Sequence, residues 1–315
     1  MNYIVFDLEW NQSPDGKDTE NPLLPFEIIE IGAQKLNEHF EPCGSFHALI
    51  KPVIYPKLHC CTQEVIGLTE DDLKNGESFD KACRDFLAFC GADPAFAIWG
   101  SMDLTELQRN MRFFKVDISL KKPLFYYDVQ KLYSLAFEDG KSRRSLEHAA
   151  EALGIPLTSA FHRADNDAAY TALILKQINR DIIKTNYSVD YYQTPACKKE
   201  ELHLHFPDYY KYISREFVSK EAAMADKTVT AIRCNICSKG LRKKIRWFSG
   251  SNRIYYCLAE CPEHGYVKGK IRMKKTDDGH LFAVKTVKMT DEAGAGKIRY
   301  ALEEMRRKRR ERTNS

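Results

Sequence analysis

The stretch Tyr3-Ile4-Val5-Phe6-Asp7-Leu8-Glu9-Trp10 decides how the rest of this 315-residue chain is interpreted. Its first four residues are aromatic, apolar or β-branched, which is typical of a short buried strand. Asp7 and Glu9 follow at the carboxyl end, where open α/β sheets bind ligands, and the two-residue period of a strand points both to one face. Adjacent carboxylates repel each other unless a cation or a shared proton compensates them. Carboxylate oxygens suit Mg²⁺ or Mn²⁺, so the stretch predicts a metal site; two solvated acids are the alternative.

Two later segments supply partners for this pair. The apolar run Ala95-Phe96-Ala97-Ile98-Trp99-Gly100 predicts another buried strand, and Asp103 follows its end as Asp7 follows the first. In the stretch from 161 to 170, His162 precedes a predicted helix and Asp167 lies in its first turns. Asp165 is the competing acid in this stretch. Four residues lie between His162 and Asp167, and this spacing favours Asp167. The order of these residues predicts that the acids and the histidine meet in one pocket.

The remaining pattern of the first 185 residues predicts an α/β fold. Apolar, β-branched and aromatic runs predict strands over 26–33, 45–51 and 125–129, the first two joined by a turn at 37–39. Helical periodicity predicts helices over 79–90 and 145–153, and Thr69 fits the N-cap of a short acidic helix. Helices between these strands would flank the sheet.

Composition is that of a globular protein without a membrane span. Hydrophobic residues make up 43% of the chain and charged residues 29%. No apolar run approaches the roughly 18 residues that cross a bilayer, and no signal peptide is recognised. We therefore expect a cytoplasmic protein. Ten cysteines in that compartment indicate reduced thiols or a metal site, not a disulfide framework.

The charge of the chain is divided unevenly along its length. Residues 1–218 hold 24 Lys and Arg against 33 Asp and Glu, a net −9, whereas residues 219–315 hold 24 against 11, a net +13. An acidic part followed by a basic part favours metal chemistry in the first and polyanion binding in the second. A solvated basic surface without a partner is the alternative.

Four cysteines cluster between 234 and 261 and predict a zinc site. Two knuckles, Cys234-Asn235-Ile236-Cys237 and Cys261-Pro262-Glu263-His264-Gly265, enclose strand-like sequence, as in a zinc ribbon. We expect Cys234, Cys237, Cys261 and His264 to hold one structural Zn²⁺, with Cys257 as the rival fourth ligand. A site with all four positions filled would supply folding energy and no chemistry.

The same region interleaves basic and aromatic residues. The segments 242–248 and 253–256 carry Arg and Lys beside Trp, Phe and Tyr, which is the combination that binds single-stranded nucleic acid. Residues 268–275 alternate basic with small or apolar residues, the turn at 277–279 predicts a hairpin, and 281–287 would be its return strand. A final helix over 291–312 ends in the run 306–310, which is either a solvated tail or an RNA-binding arm.

Three motifs together resemble those of the DEDDh family of 3′–5′ exonucleases, the RNase T and proofreading-subunit class. The motifs are Phe6-Asp7-Leu8-Glu9, Trp99-Gly100-Ser101-Met102-Asp103 and His162-Arg163-Ala164-Asp165-Asn166-Asp167-Ala168, and the resemblance covers about residues 1–182. The resemblance implies an RNase H-like fold, with a mixed central sheet flanked by helices. The stretch 58–69 is similar to the connector of the histone-mRNA and KapD-type branch, with Ile66-Gly67-Leu68-Thr69 where that branch has T-G-I-T. A tyrosine in the place of His162 would mark the sister DEDDy class, and Tyr170 lies nearby.

The resemblance implies a set of roles. Asp7, Glu9, Asp103 and Asp167 would hold two Mg²⁺ or Mn²⁺ ions, and His162 would be the general base. A group of largely apolar residues would grip the terminal nucleotide: Leu8, Trp10, Glu27, Met102 and Leu107. The alternative for each of these five except Trp10 is a core residue. The chemistry has an independent reason, because in-line phosphodiester hydrolysis needs one metal to generate hydroxide and a second to stabilise the leaving oxygen. An imidazole with a pKa near neutrality can take the proton of the water.

We therefore predict a metal-dependent 3′–5′ exonuclease that releases nucleoside 5′-monophosphates from single-stranded nucleic acid, with RNA favoured over DNA. The predicted boundaries are an exonuclease domain over 1–185, a connector over 186–227, a basic zinc-ribbon-like domain over 228–290 and a basic helix and tail over 291–315. Two alternatives stay open: a non-catalytic nucleic-acid-binding or regulatory protein, and a DNA-directed proofreading or repair exonuclease.

Overall fold

The computed structural model describes residues 2–117, 120–251 and 253–313. The chain forms two compact units, Met1–Asp190 and Tyr191–Ser315. No helix among the described residues is long and apolar enough to cross a membrane. All ten cysteines lie in the described ranges and none is in a disulfide.

The first unit is built on six strands: β1 (Tyr3–Asn11), β2 (Glu27–Leu36), β3 (Pro42–Leu49), β4 (Ala95–Ile98), β5 (Phe125–Asp128) and β6 (Ser188–Val189). Their order across the sheet is β3-β2-β1-β4-β5-β6. β4 is parallel to both β1 and β5, and the other neighbours are antiparallel. The predicted mixed α/β sheet is confirmed. β1 extends past its apolar run because β2 continues to pair with it as far as Asn11.

Helices cover both faces of this sheet. They are α1 (Cys60–Ile66), α2 (Glu70–Lys74), α3 (Phe79–Cys90), α4 (Met102–Phe113), α5 (Val129–Phe137), α6 (Leu146–Ala152), α7 (Ala164–Gln177) and α8 (Arg180–Thr185). Alternate residues of β1 enter separate cores: Phe6 and Leu8 belong to the core with α3 and α4, and Val5 to the core with α5, α6 and α7. The sheet is thus enclosed, and its acidic strand end lies between helices of the two faces.

The start of α7 packs directly on β2 at Gly32. A Cβ atom added there would lie 2.1 Å from the backbone of Ala164 and Asp165, so a larger residue cannot occupy this position. Gly32 is also the register partner of Asp7. The absence of a side chain on β2 therefore lets the N-terminus of α7 reach the acidic end of β1.

The second unit is an antiparallel sheet of six strands: β7 (Leu202–His205), β8 (Tyr209–Phe217), β9 (Lys243–Ser251), β10 (Ile254–Cys261), β11 (Gly265–Lys275) and β12 (Leu281–Met289). Their order is β7-β8-β12-β11-β10-β9. The helices are α9 (Lys220–Ala225), α10 (Lys227–Thr230) and α11 (Glu292–Thr313). α11 packs through Ala295 and Ile298 onto Phe248 and Leu258, whereas α9 and α10 pack on other residues of the same sheet through Ala223 and Val229.

The structure differs from the expected connector over 186–227. β7 and β8 lie inside that range, and β8 pairs with β12, so the basic module is a larger sheet than a zinc ribbon alone. The partner strand lies far along the chain, which is why local pattern did not identify the pairing. The predicted C-terminal helix corresponds to α11.

Candidate active site and metal centres

The strand-end acids come from three elements of the first unit. Asp7 and Glu9 lie on β1, Asp103 lies in the first turn of α4 just after β4, and Asp167 lies in the first turn of α7. β1 and β4 are parallel neighbours, so their carboxyl ends meet at one edge of the sheet. Burial and the negative charges of Asp103, Glu9 and Asp167 raise the pKa of Asp7 well above its usual value. The four predicted acids therefore lie close enough to repel one another.

The pKa values of the other three acids are raised as well, in each case mainly by burial. That of Glu9 rises to about 8, that of Asp103 to about 7 and that of Asp167 to about 6. For Asp103, hydrogen bonds from the backbone N–H groups of Asp103 and Leu8 partly offset the effect. At neutral pH a cluster of this kind holds protons unless cations replace them.

The donor set fits divalent cations. One oxygen of Asp167, Oδ1, is buried and has no hydrogen-bond partner among the described residues, while Oδ2 accepts the backbone N–H of His162 at 3.2 Å. Glu9, His162 and Asp167 each offer a ligand atom within 4.8 Å of the others. An orphaned buried carboxylate oxygen is costly, and a hard cation with oxygen ligands is the partner that would satisfy it.

His162 is held at the rim of this cluster by its backbone. Its φ is 62°, in the left-handed region, and its side chain is exposed. The N–H bond to Asp167 fixes that conformation across the start of α7. The imidazole is therefore open to solvent beside buried acids, which is the placement that a proton acceptor requires.

The structure shows where two competing residues lie: Tyr170, near the motif of His162, and Asp165, the rival of Asp167. The hydroxyl of Tyr170 bonds the backbone N–H and the carbonyl of Ser159, each at 2.9 Å, and the ring is buried. The hydroxyl of Tyr170 therefore has a structural role, in which it holds the backbone of Ser159. Asp165 groups with Glu30 and His47, not with Glu9 and Asp167.

Glu30 is a feature of this region that sequence reasoning missed. It is fully buried on β2 and accepts hydrogen bonds from Arg163 Nη2 at 2.7 Å and from His47 Nε2 at 2.7 Å. The backbone N–H of Ala164 also donates to it, at 3.3 Å. Burial alone would raise its pKa, but these donors and the charge of Arg163 lower it. Glu30 therefore anchors the segment that carries His162. A charged residue inside an apolar strand pattern was the available signal.

The five residues expected to grip the terminal nucleotide are divided by the structure. Leu8 and Leu107 are core residues, and the Glu27 carboxylate accepts the backbone N–H groups of Val53, Ile54 and Tyr55. Burial favours the alternative that these three are core residues, because buried, occupied side chains present no surface to a substrate. Met102 is 48% exposed, and Trp10 is half-buried against Phe26, with ring centroids 5.7 Å apart. Only these two keep an accessible surface.

In the second unit the predicted zinc ligands come together. Cys234, Cys237, Cys261 and His264 offer ligand atoms within 4.8 Å of one another. Cys261 Sγ lies 3.4 Å from His264 Nδ1 and 3.7 Å from Cys237 Sγ. Burial opposes ionisation of the Cys261 thiol, but the N–H groups of Glu263 and His264 and the His264 side chain lower its pKa to about 6. A readily formed thiolate beside two further thiols and an imidazole fits Zn²⁺, which binds sulfur and nitrogen donors.

Cys257 lies outside this group of four. It is buried in the core beside Ala259 and Val287, and burial raises the pKa of its thiol to about 12. A thiol so resistant to ionisation is a poor metal ligand. The geometry therefore favours His264 as the fourth donor.

Comparisons with known proteins agree with this arrangement. Residues 4–175, more than half of the chain, match the RNase T family model, described as exonuclease. The nuclease domain of 3′hExo, a DEDDh family member, bound to rAMP has 18% identity and a TM-score of 0.50, over 59% of this chain and 96% of that chain. A full-length 3′-exonuclease has 20% identity and a TM-score of 0.48, over 59% and 84%.

E. coli exonuclease I in complex with a dA16 oligonucleotide has 13% identity and a TM-score of 0.47, over 82% of this chain and 54% of that chain. No curated protein sequence matches the chain. The family match covers every strand-end acid and His162. The chain belongs to the RNase T family of exonucleases.

Proposed function

We propose that this exonuclease uses two divalent ions, Mg²⁺ or Mn²⁺, and releases nucleoside 5′-monophosphates from the 3′ end of single-stranded RNA. The observation that carries the metal proposal is the cluster of four acids with raised pKa values beside an orphaned buried oxygen of Asp167. Asp7, Glu9, Asp103 and Asp167 would hold the ions. When bound, such ions supply an activated hydroxide and stabilise the leaving 3′ oxygen.

The side chains of the chain itself perform the remaining tasks. His162 would accept the proton of the attacking water, since its imidazole is exposed at the rim of the acids and its backbone is tied to Asp167. The contact between Glu30 and Arg163 would keep that histidine in place. Met102 and Trp10 would contact the terminal nucleotide through their accessible apolar surface.

The preference for RNA rests on the similarity of residues 58–69 to the histone-mRNA branch and on the suitability of single-stranded ends for recognition by a zinc ribbon and stacking. Single-stranded ends with unstacked bases are the form in which proteins recognise RNA sequence, and the 2′-hydroxyl distinguishes it from DNA. We propose one structural Zn²⁺ on Cys234, Cys237, Cys261 and His264. A cytoplasmic location would suit this thiolate site and the unpaired state of all ten cysteines.

Product analysis tests this proposal. Single-stranded RNA is digested with Mg²⁺ or Mn²⁺, and the released mononucleotides are separated by anion-exchange chromatography. We expect 5′-monophosphates, because hydrolysis that breaks the bond between phosphorus and the 3′ oxygen of the preceding nucleotide leaves the phosphate on the 5′ oxygen of the released one. Release of 3′-monophosphates, or activity that is unchanged after removal of divalent ions, would contradict the metal mechanism. Competition between RNA and DNA of equal sequence at several salt concentrations ranks the two substrates.

A further inference from the structure

A groove on the second unit combines aromatic and basic side chains that the catalytic chemistry does not use. It has a volume of about 720 Å³ and is lined by residues of α9, of β9 and the segment just before it, and of β10. Trp247, Tyr255 and Met224 give it apolar surface, and Arg242, Lys243 and Arg246 give it positive charge. A concave site of this size accommodates a ligand of nucleotide dimensions.

Trp247 is a fixed surface within this groove. At one edge of the indole, Nε1 donates a hydrogen bond to the carbonyl of Thr230 at 2.8 Å. At the opposite edge, Cη2 would lie 2.6 Å from a Cβ atom on Gly269, so the ring rests on a residue of β11 whose lack of a side chain leaves room for it. The side chain is half-buried. A ring held at both edges binds a planar partner without losing rotamer freedom.

An irregularity in β9 brings Arg246 to the same groove. Between Tyr256 and Leu258 of β10, the register partner on β9 changes from Phe248 to Ile245. The extra residue makes a bulge at Arg246 and Trp247, and a bulge redirects side chains that regular pleating would send to opposite faces. Both residues line the groove.

Four cations among the described residues line the groove, together with one carboxylate, Glu221. Lys220 pairs with that carboxylate at 3.7 Å, whereas the other three cations are not neutralised in this way. Over the described ranges, no carboxylate forms an ion pair with Arg242, Lys243 or Arg246. The adjacent Lys244 differs, since its Nζ lies 2.8 Å from Glu260 Oε2 and it does not line the groove. Three uncompensated cations beside a fixed indole predict a ligand that carries both negative charge and a flat ring.

We propose that this groove binds a nucleotide unit of the single-stranded RNA substrate outside the catalytic site, with a base on Trp247 and phosphates at Arg242, Lys243 and Arg246. The inference rests on the proposed function, because it takes the substrate of the first unit as the ligand of the second. Stacking on an aromatic ring together with phosphate neutralisation is the recognition mode of sequence-tolerant single-strand binding.

Binding is tested with the full-length chain carrying Asp7→Asn, so that the strand is not degraded, by fluorescence anisotropy of a labelled single-stranded RNA over a salt series. We expect Trp247→Leu to raise Kd about tenfold, which is the typical effect of losing one base stack. We expect Arg242→Gln with Arg246→Gln to lower the slope of log Kd against log salt by about 1.4, since two phosphate contacts are removed. Lys244→Gln is the matched control on the same strand and is expected to leave both quantities unchanged.

Hydrolysis gives a second readout in chains that retain Asp7. We expect the groove variants to hydrolyse a dinucleotide at the wild-type rate and a long strand with a raised KM. Equal binding and equal KM in the arginine variant and in Lys244→Gln would overturn the groove assignment. The two arginines are exposed, so this variant remains informative if Trp247→Leu fails to fold. Failure of the proposed function would show separately, as absent hydrolysis of RNA in the unmodified chain.

Discussion

Glu9 and Glu30 lie directly opposite each other in the β1–β2 pair, yet their pKa values are shifted in opposite directions. Burial, and then the charges of Asp167 and Glu30, raise the pKa of Glu9 to about 8. For Glu30 the opposing effect of burial is overcome by hydrogen bonds from His47 and Arg163. The protein therefore compensates the Glu30 carboxylate with its own side chains, whereas the Glu9 carboxylate remains available to an added cation.

This difference predicts how stability responds to pH in the absence of Mg²⁺ and Mn²⁺. The pKa of Glu9 is about 8 in the folded state against 4.5 when unfolded, so the folded state binds the extra proton between these values. The stability of the metal-free protein then falls as pH rises through this window. We expect Glu9→Gln to raise the free energy of unfolding by about 1–3 kcal/mol above pH 8 and to change it little near pH 5.

Urea unfolding at the two pH values measures this effect, with the zinc site left loaded. A difference between wild type and Glu9→Gln that is the same at both pH values would contradict the shifted pKa. Added Mg²⁺ or Mn²⁺ should stabilise the wild type more at the higher pH, because the ions no longer compete with protons.

Asp7→Asn and Asp103→Asn should each lower hydrolysis by at least about 10²-fold, since metal stabilisation of the transition state is worth several kcal/mol. The amide is nearly isosteric and removes a repelling charge, so the fold and the affinity for RNA should persist. Single-turnover rates and anisotropy separate the two effects. Asp165→Asn, on the same helix as Asp167, serves as the control that keeps its turnover. Wild-type turnover in the first two variants would refute the acid assignment.

Glu30→Gln should destabilise the protein by roughly 1–2 kcal/mol, because the charge-assisted hydrogen bonds to this buried carboxylate are weakened. The loss is moderate because Arg163 and His47 are 31% and 39% exposed and stay partly hydrated. The same change should lower kcat more than it raises KM, since Arg163 adjoins His162 in the chain. Chemical denaturation measures the free energy of unfolding, and steady-state kinetics measures kcat and KM. Glu64→Gln, at an exposed glutamate of α1, is the matched control. An unchanged unfolding free energy in Glu30→Gln would show that Arg163 and His47 do not depend on it.

The zinc assignment predicts a contrast between two cysteines that are four residues apart. Cys261→Ser and His264→Ala should lose the metal and destabilise the second unit, whereas Cys257→Ser should retain about one zinc per chain. Elemental analysis of the purified variants measures the number of zinc ions per chain. Loss of zinc from Cys257→Ser with retention in His264→Ala would make Cys257 the fourth ligand.

Local sequence pattern was enough to locate the strand-end acids, because each follows a short apolar run or opens a helix. It did not find the contact between Glu30 and Arg163, which are 133 residues apart and meet only because Gly32 lets α7 approach β2. The pairing of β8 with β12 was missed for the same reason: it joins segments far apart in the chain.

The burial of three of the five candidate substrate-binding residues has a simpler cause. Leu8 lies between Asp7 and Glu9, so the two-residue period of a strand sends it to the opposite face and into the core. Leu107 and Glu27 are buried by helix and loop packing that only the tertiary structure defines. The accessible surface of Met102 and Trp10, and not their position in a motif, makes these two the remaining candidates for contact with the terminal nucleotide.

Time-resolved cleavage of 5′-labelled single-stranded RNA and DNA of equal sequence, with Mn²⁺, Mg²⁺ or EDTA, tests the central claim most directly. We expect stepwise shortening from the 3′ end that EDTA stops, with RNA degraded faster than DNA. Retained binding without cleavage of either strand in the presence of either ion would contradict a metal-dependent exonuclease.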